Sequence, residues 1–466
     1  MMSNKSTNKI VIFNVLSTII LQGTTLVVMP FISRALGTNN YGILSIYATW
    51  ASLFSSVFSL QVHSSIAVSR RDFSEEKQLK YQSSILFLAL LAFLTFALVS
   101  LSILPFLADW LGLTKVLLLI LIFYVFGEIM VSFITTKFTY EFKAKYNFIL
   151  TCVLSFSTTL LSFLLLRCFN KEINYYARVL GLSIPYFLIG IVVSILVFCK
   201  GKCFFSKEYW KYCLVLSLPI IFHSVSSIVL NQSDKIMLQR FLSSSDVGIY
   251  GLAFSFASVV TVIWSALNNS YVPFFYDYEK DKKFDSVKAL NEKYVEVFTI
   301  VVSGFLLLTN FVYKIYADES FHYGLKYIPF FVLSSYMTFV YSFSVNYEFF
   351  CKKTKTIAFA TIITGLVNIA LNFILIPLCG QIGAAIATLA SHVLLALFHH
   401  FFCLHISKRN EFPYFHISKK SYLWVVVIII SIVVYYLSPT QIINWVLAVS
   451  LGVFEMVRII RRKSIF

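Results

Sequence analysis

Residues 83–107 read SSILFLALLAFLTFALVSLSILPFL, a run without one charged side chain. At 1.5 Å per residue, a helix of this length covers the roughly 30 Å hydrocarbon core of a bilayer. Lipid offers no hydrogen-bond partner to a backbone amide, so a lone segment of this kind must be helical. The pattern recurs along the chain. Apolar runs lie near 10–33, 42–63, 83–107, 114–136, 147–167, 179–199, 212–233, 248–270, 294–315, 327–350, 356–377, 382–405, 421–437 and 441–457. The expectation is an all-α integral membrane protein with about fourteen transmembrane helices. Composition agrees: 59% of residues are hydrophobic and 13% charged, against roughly 45–50% and 25% in a soluble domain. The last two runs are short, and a re-entrant hairpin is the alternative there.

The charges sit between the apolar runs. The net charge of +17 raises the question of nucleic acid, but the basic residues form short clusters at span ends rather than one face. With the N-terminus placed inside, the inner connections hold 29 of the 38 Lys and Arg residues and the outer ones hold 9. That bias places both termini in the cytoplasm. Lys5 and Lys9 precede the first run, which continues to Ile32 and is too long for a signal-peptide core; it is read as a retained span. Connections are short and no GxxxxGK[ST] loop occurs, so a pump driven by its own nucleotide hydrolysis is excluded. The eight cysteines include no CxxC pair, and Cys199 and Cys203, the closest two, have no histidine at zinc-finger spacing. No metal, cofactor or catalytic residue is expected.

The chain repeats itself at an offset of 206. Residues 32–43, ISRALGTNNYGI, align with residues 238–249, LQRFLSSSDVGI, so that Arg34 meets Arg240 and Gly42 meets Gly248. Each copy ends one span and begins the next. Six-span halves with this spacing share one orientation and are related by an axis along the membrane normal, a plan that puts a substrate path between them. The expected domains are 1–205 and 206–410, each a six-helix bundle, and 411–466, two additional helices.

At these residues the chain resembles the polysaccharide-type, Wzx-like flippases of the multidrug/oligosaccharidyl-lipid/polysaccharide (MATE/MOP) exporter superfamily. The segments that carry the likeness are Met29–Gly37 with Asn40-Tyr41-Gly42, Ser233–Leu238 with Asp246–Tyr250, and Val367–Asn372 with Gly383–Thr388. The resemblance implies movement of an undecaprenyl-diphosphate-linked oligosaccharide from the cytoplasmic to the periplasmic leaflet of a bacterial inner membrane, for O-antigen, capsule or another surface glycan. Polymerase and chain-length proteins of the same pathway would be its partners. It also implies that Arg34, on the Ser-Arg-x-x-Gly pattern, lines the cavity.

The chemistry of such a substrate sets the candidate residues. An anionic diphosphate does not cross hydrocarbon unaided, and arginine holds phosphate oxygens bidentately. Arg34 and Arg240, equivalent in the repeat, are the first candidates; the alternative is that both snorkel to headgroups. Asp234 and Lys235 close the seventh span, either orienting an arginine or forming an interfacial cluster. Arg167, Lys171 and Arg178 make a basic patch at the outer end of the fifth and sixth spans. Glu128 is the deepest acid and the candidate for coupling a proton or sodium ion, with a packed structural role as the alternative. Glu348 is read as interfacial. His63 and His223 fall within spans, where a proton relay and plain hydrogen bonding both fit. Two other functions compete: a cation-coupled drug or metabolite exporter of the same superfamily, and a polytopic glycan polymerase, which the short outer connections disfavour.

Overall fold

The computed structural model describes residues 4–410, 419–437 and 441–462. Every regular element among the described residues is helical. They are α1 (Asn4–Phe58), α2 (Ile66–Asp72), α3 (Glu75–Ser102), α4 (Leu104–Leu111), α5 (Lys115–Tyr140), α6 (Ala144–Leu165), α7 (Tyr175–Gly201), α8 (Lys207–Phe241), α9 (Ser244–Lys280), α10 (Phe284–Tyr316), α11 (Ile328–Phe350), α12 (Thr354–Asn410), α13 (Lys419–Leu437) and α14 (Gln441–Arg462). Among the described residues, ten helices are long and apolar enough to cross a membrane, and two shorter apolar stretches, Trp424–Leu437 and Ile443–Phe454, lie in α13 and α14.

Two helices are far too long for one crossing. A straight helix of the 55 residues of α1 would run roughly 80 Å, against a core of roughly 30 Å. The backbone breaks at Gly37 (φ 71°, ψ 177°), and α12, 57 residues long, breaks at Gly380 (φ 62°, ψ −139°). Both conformations lie in the region that favours glycine. The eight-residue connection expected between the first two runs is therefore a single-residue break. The expected end of the second run also moves. The helix stops at Phe58, Leu60 and Gln61 take left-handed conformations, and His63 sits in a 3-10 turn, Val62–Ser65, beyond the span.

Several connections lack glycine altogether. Phe142, Lys282 and Lys352 are left-handed, and in each case the next amide reaches back over the helix end: Lys143 N to Phe138 O (2.8 Å), Lys283 N to Tyr278 O (2.9 Å) and Lys353 N to Glu348 O (2.8 Å). This is the closing bond of a Schellman turn, which satisfies carbonyls that the helix leaves unpaired.

The chain divides into two compact units, Met1–Gly248 and Ile249–Phe466. The sequence suggests a division at 205/206, but α8 packs on α1, α3 and the Val62–Ser65 turn, so it belongs with the first unit. The 410/411 boundary falls at residues 411–418, outside the described residues. In the second unit, α13 and α14 both lie against α10. Tyr435 Oη donates to Leu325 O (2.6 Å), and Arg458 pairs with the buried Glu296.

Within the first unit the two copies of the repeat meet. A Cβ on Gly42 would strike the carbonyl of Ser244, and a Cβ on Gly248 would strike the carbonyl of Thr38. Ser244 is Thr38 displaced by 206, and Gly248 is Gly42 displaced by 206, so the contact is reciprocal, as a local two-fold relation requires. Thr38 and Ser245 hydroxyls close it at 2.5 Å. Close backbone approach at small residues is how membrane helices associate when no hydrophobic drive exists between them. Gly42→Ala and Gly248→Ala are each expected to lower stability by about 1–3 kcal/mol through overpacking, read as a fall in thermal midpoint in detergent. Gly304→Ala, at a helical position with open space, is the control and lowers nothing.

Candidate functional site

Three serines on α1, Ser52, Ser55 and Ser56, follow i, i+3, i+4 spacing and so share one helix face, and Ser59 follows just past the helix end. On α5, Glu128 and Ser132 are one turn apart; on α8, Ser224 and Ser227 do the same beside His223. These faces surround a cavity of about 400 Å³ that Gln61, just before the 3-10 turn, and His63 within it also line. Only Ile129 and Ile228 in the lining are apolar, and no lysine or arginine takes part. The contrast with the second unit is sharp: there a cavity of about 490 Å³ is almost wholly apolar, walled by residues such as Val295, Leu333, Val393 and Ile428.

Packing fixes the carboxylate. Gly127 lies so close to α7 that a Cβ would strike the Tyr186 carbonyl, which holds α5 in register and aims the next residue, Glu128, at α1. Ser55 Oγ donates to Glu128 Oε2 at 2.5 Å. Tyr47, Tyr124 and Tyr186 pack behind it, ring centroids 6.0 and 5.1 Å apart, and Tyr47 shares a hydrogen bond with Ser183 (3.0 Å). Tyr124 and Tyr186 lie within electrostatic range of both Glu128 and Arg178. Gln61 Nε2 donates to Ser56 Oγ (3.0 Å), pinning the left-handed turn to the serine face.

The basic candidates divide. Arg34, Arg240 and Arg167 are exposed. Arg178 is not part of a surface patch with Arg167 and Lys171: it turns into the first unit, only 7% exposed, and Nη1 donates to Ser162 Oγ at 3.0 Å. Asp234 and Lys235 are both buried in α8. The repeat motif and the loop after α6 are latched together. Asn40 Nδ2 donates to Lys171 O (2.7 Å) and Asn174 Oδ1 (2.9 Å), and Asn174 Nδ2 donates to Ala35 O (2.6 Å). His223, exposed, and His63, half-buried, line the polar cavity with Glu128.

A second cavity of the first unit, about 530 Å³, gathers Arg70, Lys137, Lys143 and Lys200 with Glu75 and Glu141 at the end of α5. Burial works against the Glu141 charge, but the hydrogen bond from Lys143, with Lys137 and Gln82, holds that carboxyl below its usual range. Nearby, Tyr212 donates to Asp72 (2.7 Å) and, with Arg71, holds its carboxyl low as well.

Glu348 departs from its interfacial expectation. It is fully buried on α11, and His399 of α12 meets it at 2.6 Å, with Cys403 Sγ at 3.6 Å. The sequence places these residues 51 and 55 positions apart, so only helix pairing brings them together.

Residues 8–279 match the family described as polysaccharide biosynthesis protein. A protein of the Lsg locus of Haemophilus influenzae is 25% identical over 372 residues, covering 76% of this chain and 90% of that one. Among solved structures, the lipid II flippase MurJ in an inward closed conformation superposes with a TM-score of 0.72 at 17% identity, over 96% of this chain and 97% of its own. An inward-facing multidrug resistance MATE transporter of the MOP superfamily gives 0.62 at 13% identity, over 84% and 96%. At these identities the two structures establish a shared fold.

The buried pair yields a test of its own. Glu348→Ala is expected to cost about 1–3 kcal/mol, since it strands a buried partner. His399→Ala made in that background costs less than it does alone, and a double-mutant cycle on thermal midpoints measures the difference.

Proposed function

Because the chain belongs to the family of polysaccharide biosynthesis proteins, we propose that it is a flippase for an undecaprenyl-diphosphate-linked oligosaccharide. It works by alternating access in the inner membrane of a bacterium, with fourteen spans and both termini in the cytoplasm. The observation that carries this reading is the hydrophilic cavity walled by membrane-crossing helices in an otherwise apolar bundle. A polar glycan and its charged linkage need such a path, because exposure of either to hydrocarbon costs many kcal/mol. The polyprenyl tail has no such need and stays in lipid. O-antigen or capsular repeat units are the substrates that fit, handed on to a polymerase and chain-length partner.

Fixed positive charge must accompany the diphosphate. Arg34 and Arg240, paired through the repeat, are assigned to it, with Arg167, Arg178, Asp234 and Lys235 as the supporting set. Glu128 is the carboxylate placed to carry a coupling proton or sodium ion. That acid, in a lining without lysine or arginine, also favours a second reading, a cation-coupled exporter of a drug or metabolite. Complementation of a flippase-null strain against drug sensitivity separates the two.

Arg34→Ala is expected to abolish surface glycan display while protein level holds, and Arg34→Lys to restore part of it; normal display in the alanine variant removes Arg34 from the site. The membrane potential supplies a further check. An interior-negative potential favours outward movement of an anion by about 2.3 kcal/mol per charge per 100 mV, hence about 4–5 kcal/mol for two uncompensated charges. Transport into inside-out vesicles is expected to accelerate with an imposed lumen-positive potential, whereas indifference would mean an electroneutral cycle.

A further inference from the structure

The polar cavity of the first unit has a chemistry unlike that of a phosphate site. Its lining presents seven serine hydroxyls, the Gln61 amide, the imidazoles of His63 and His223 and the Glu128 carboxylate, with no cation of its own. We infer that it is the subsite for the sugar rather than for the diphosphate, and that it selects a neutral or amino sugar over a uronic acid. The inference rests on the flippase reading and concerns another part of the same substrate.

The hydrogen-bonding state of the wall supports this. Ser52 Oγ donates to Ala48 O (3.0 Å) and Ser59 Oγ to Ser56 O (3.3 Å), each within its own helix segment, while Ser55 donates to Glu128. Those hydroxyls have used their protons and offer lone pairs. Hydroxyl and amide groups together both give and accept, which matches a ring whose every substituent does the same. An anion would find a carboxylate facing it and no guanidinium or ammonium in the wall, and like charge disfavours ionisation of either group. The volume of about 400 Å³ lies at the small end of the roughly 300–1,000 Å³ of ligand pockets, fitting a single sugar unit or two rather than a whole repeat.

The helices that frame the cavity carry exposed apolar residues as well as serines. Val57 and Phe222, on neighbouring faces of α1 and α8, are exposed large hydrophobics.

The test uses the full chain in lipid nanodiscs and equilibrium binding, so that any coupling role of Glu128 does not enter. Three probes are compared: undecaprenyl diphosphate, and the same lipid carrying N-acetylglucosamine or glucuronic acid. The N-acetylglucosamine probe is expected to bind about tenfold tighter than the bare lipid, and the glucuronic probe no tighter than the bare lipid. Ser227→Phe, which fills the cavity, should bring the N-acetylglucosamine probe down to the bare lipid and leave the latter unchanged; Ser132→Leu, on another helix, does the same if the first variant fails to fold. Glu128→Gln should tighten binding of the glucuronic probe about tenfold. Equal affinity for all three probes in the wild type, or equal loss for bare and sugar-bearing lipid in the cavity-filled variants, overturns the inference. Binding of none of the probes overturns the flippase reading and the inference together.

Discussion

The contact on which the first unit depends is a crossing of bare backbone. Gly42 and Gly248 each lie against the main chain of the other repeat copy, at Ser244 and Thr38, with no room for a methyl group. In water such a contact would be one among many, reinforced by burial of apolar area. In lipid that reinforcement is absent, because the solvent is as apolar as the side chains, and close van der Waals approach with a few hydrogen bonds must hold helices together. The Thr38–Ser245 hydroxyl pair supplies one such bond at the crossing. The latch of Asn40 and Asn174 ties the same motif to the loop before α7.

From that crossing the rest of the first unit can be followed outward. The motif holds α1 against the first turn of α9, at Ser244 and Gly248, and Gly127 holds α5 against α7. Between α1, α5 and α8 lies the polar cavity, lined mainly by serine. A serine in lipid bonds to its own helix with little loss and still presents an acceptor. This is how a segment apolar enough to insert also walls a hydrophilic cavity. The Glu128 carboxylate in its wall accepts a hydrogen bond from Ser55, and no lysine or arginine lines the cavity beside it.

The second unit meets the same constraint differently. Two of its buried acids are paired across helices, Glu348 with His399 and Glu296 with Arg458. The latter pair joins α14 to α10, which gives a reason for the buried charge at Glu296. Tyr435 and Tyr436 cap backbone carbonyls of Leu325 and Lys326, so the two C-terminal helices are docked by polar ends and apolar middles.

The all-helical membrane class follows from residues 83–107 and their thirteen counterparts alone, since lipid leaves a spanning backbone no other way to pair its amides. The repeat was legible too, through Arg34, Gly42 and their partners 206 positions on. The connections that hold Phe142, Lys282 and Lys352 were legible as breaks between apolar runs, but the left-handed residue that turns each one was not, because without glycine it leaves no mark in composition. Nor could the sequence separate Arg178, buried against Ser162, from exposed Arg167. The serine stripe of α1 was present to be read, but its meaning required α5 and α8, which supply Glu128 and His223 from 70 to 170 residues away. Solvent preference acts on each segment by itself and is therefore written locally. A cavity, a buried ion pair or a reciprocal crossing exists only where distant segments meet, and only tertiary structure decides which faces do.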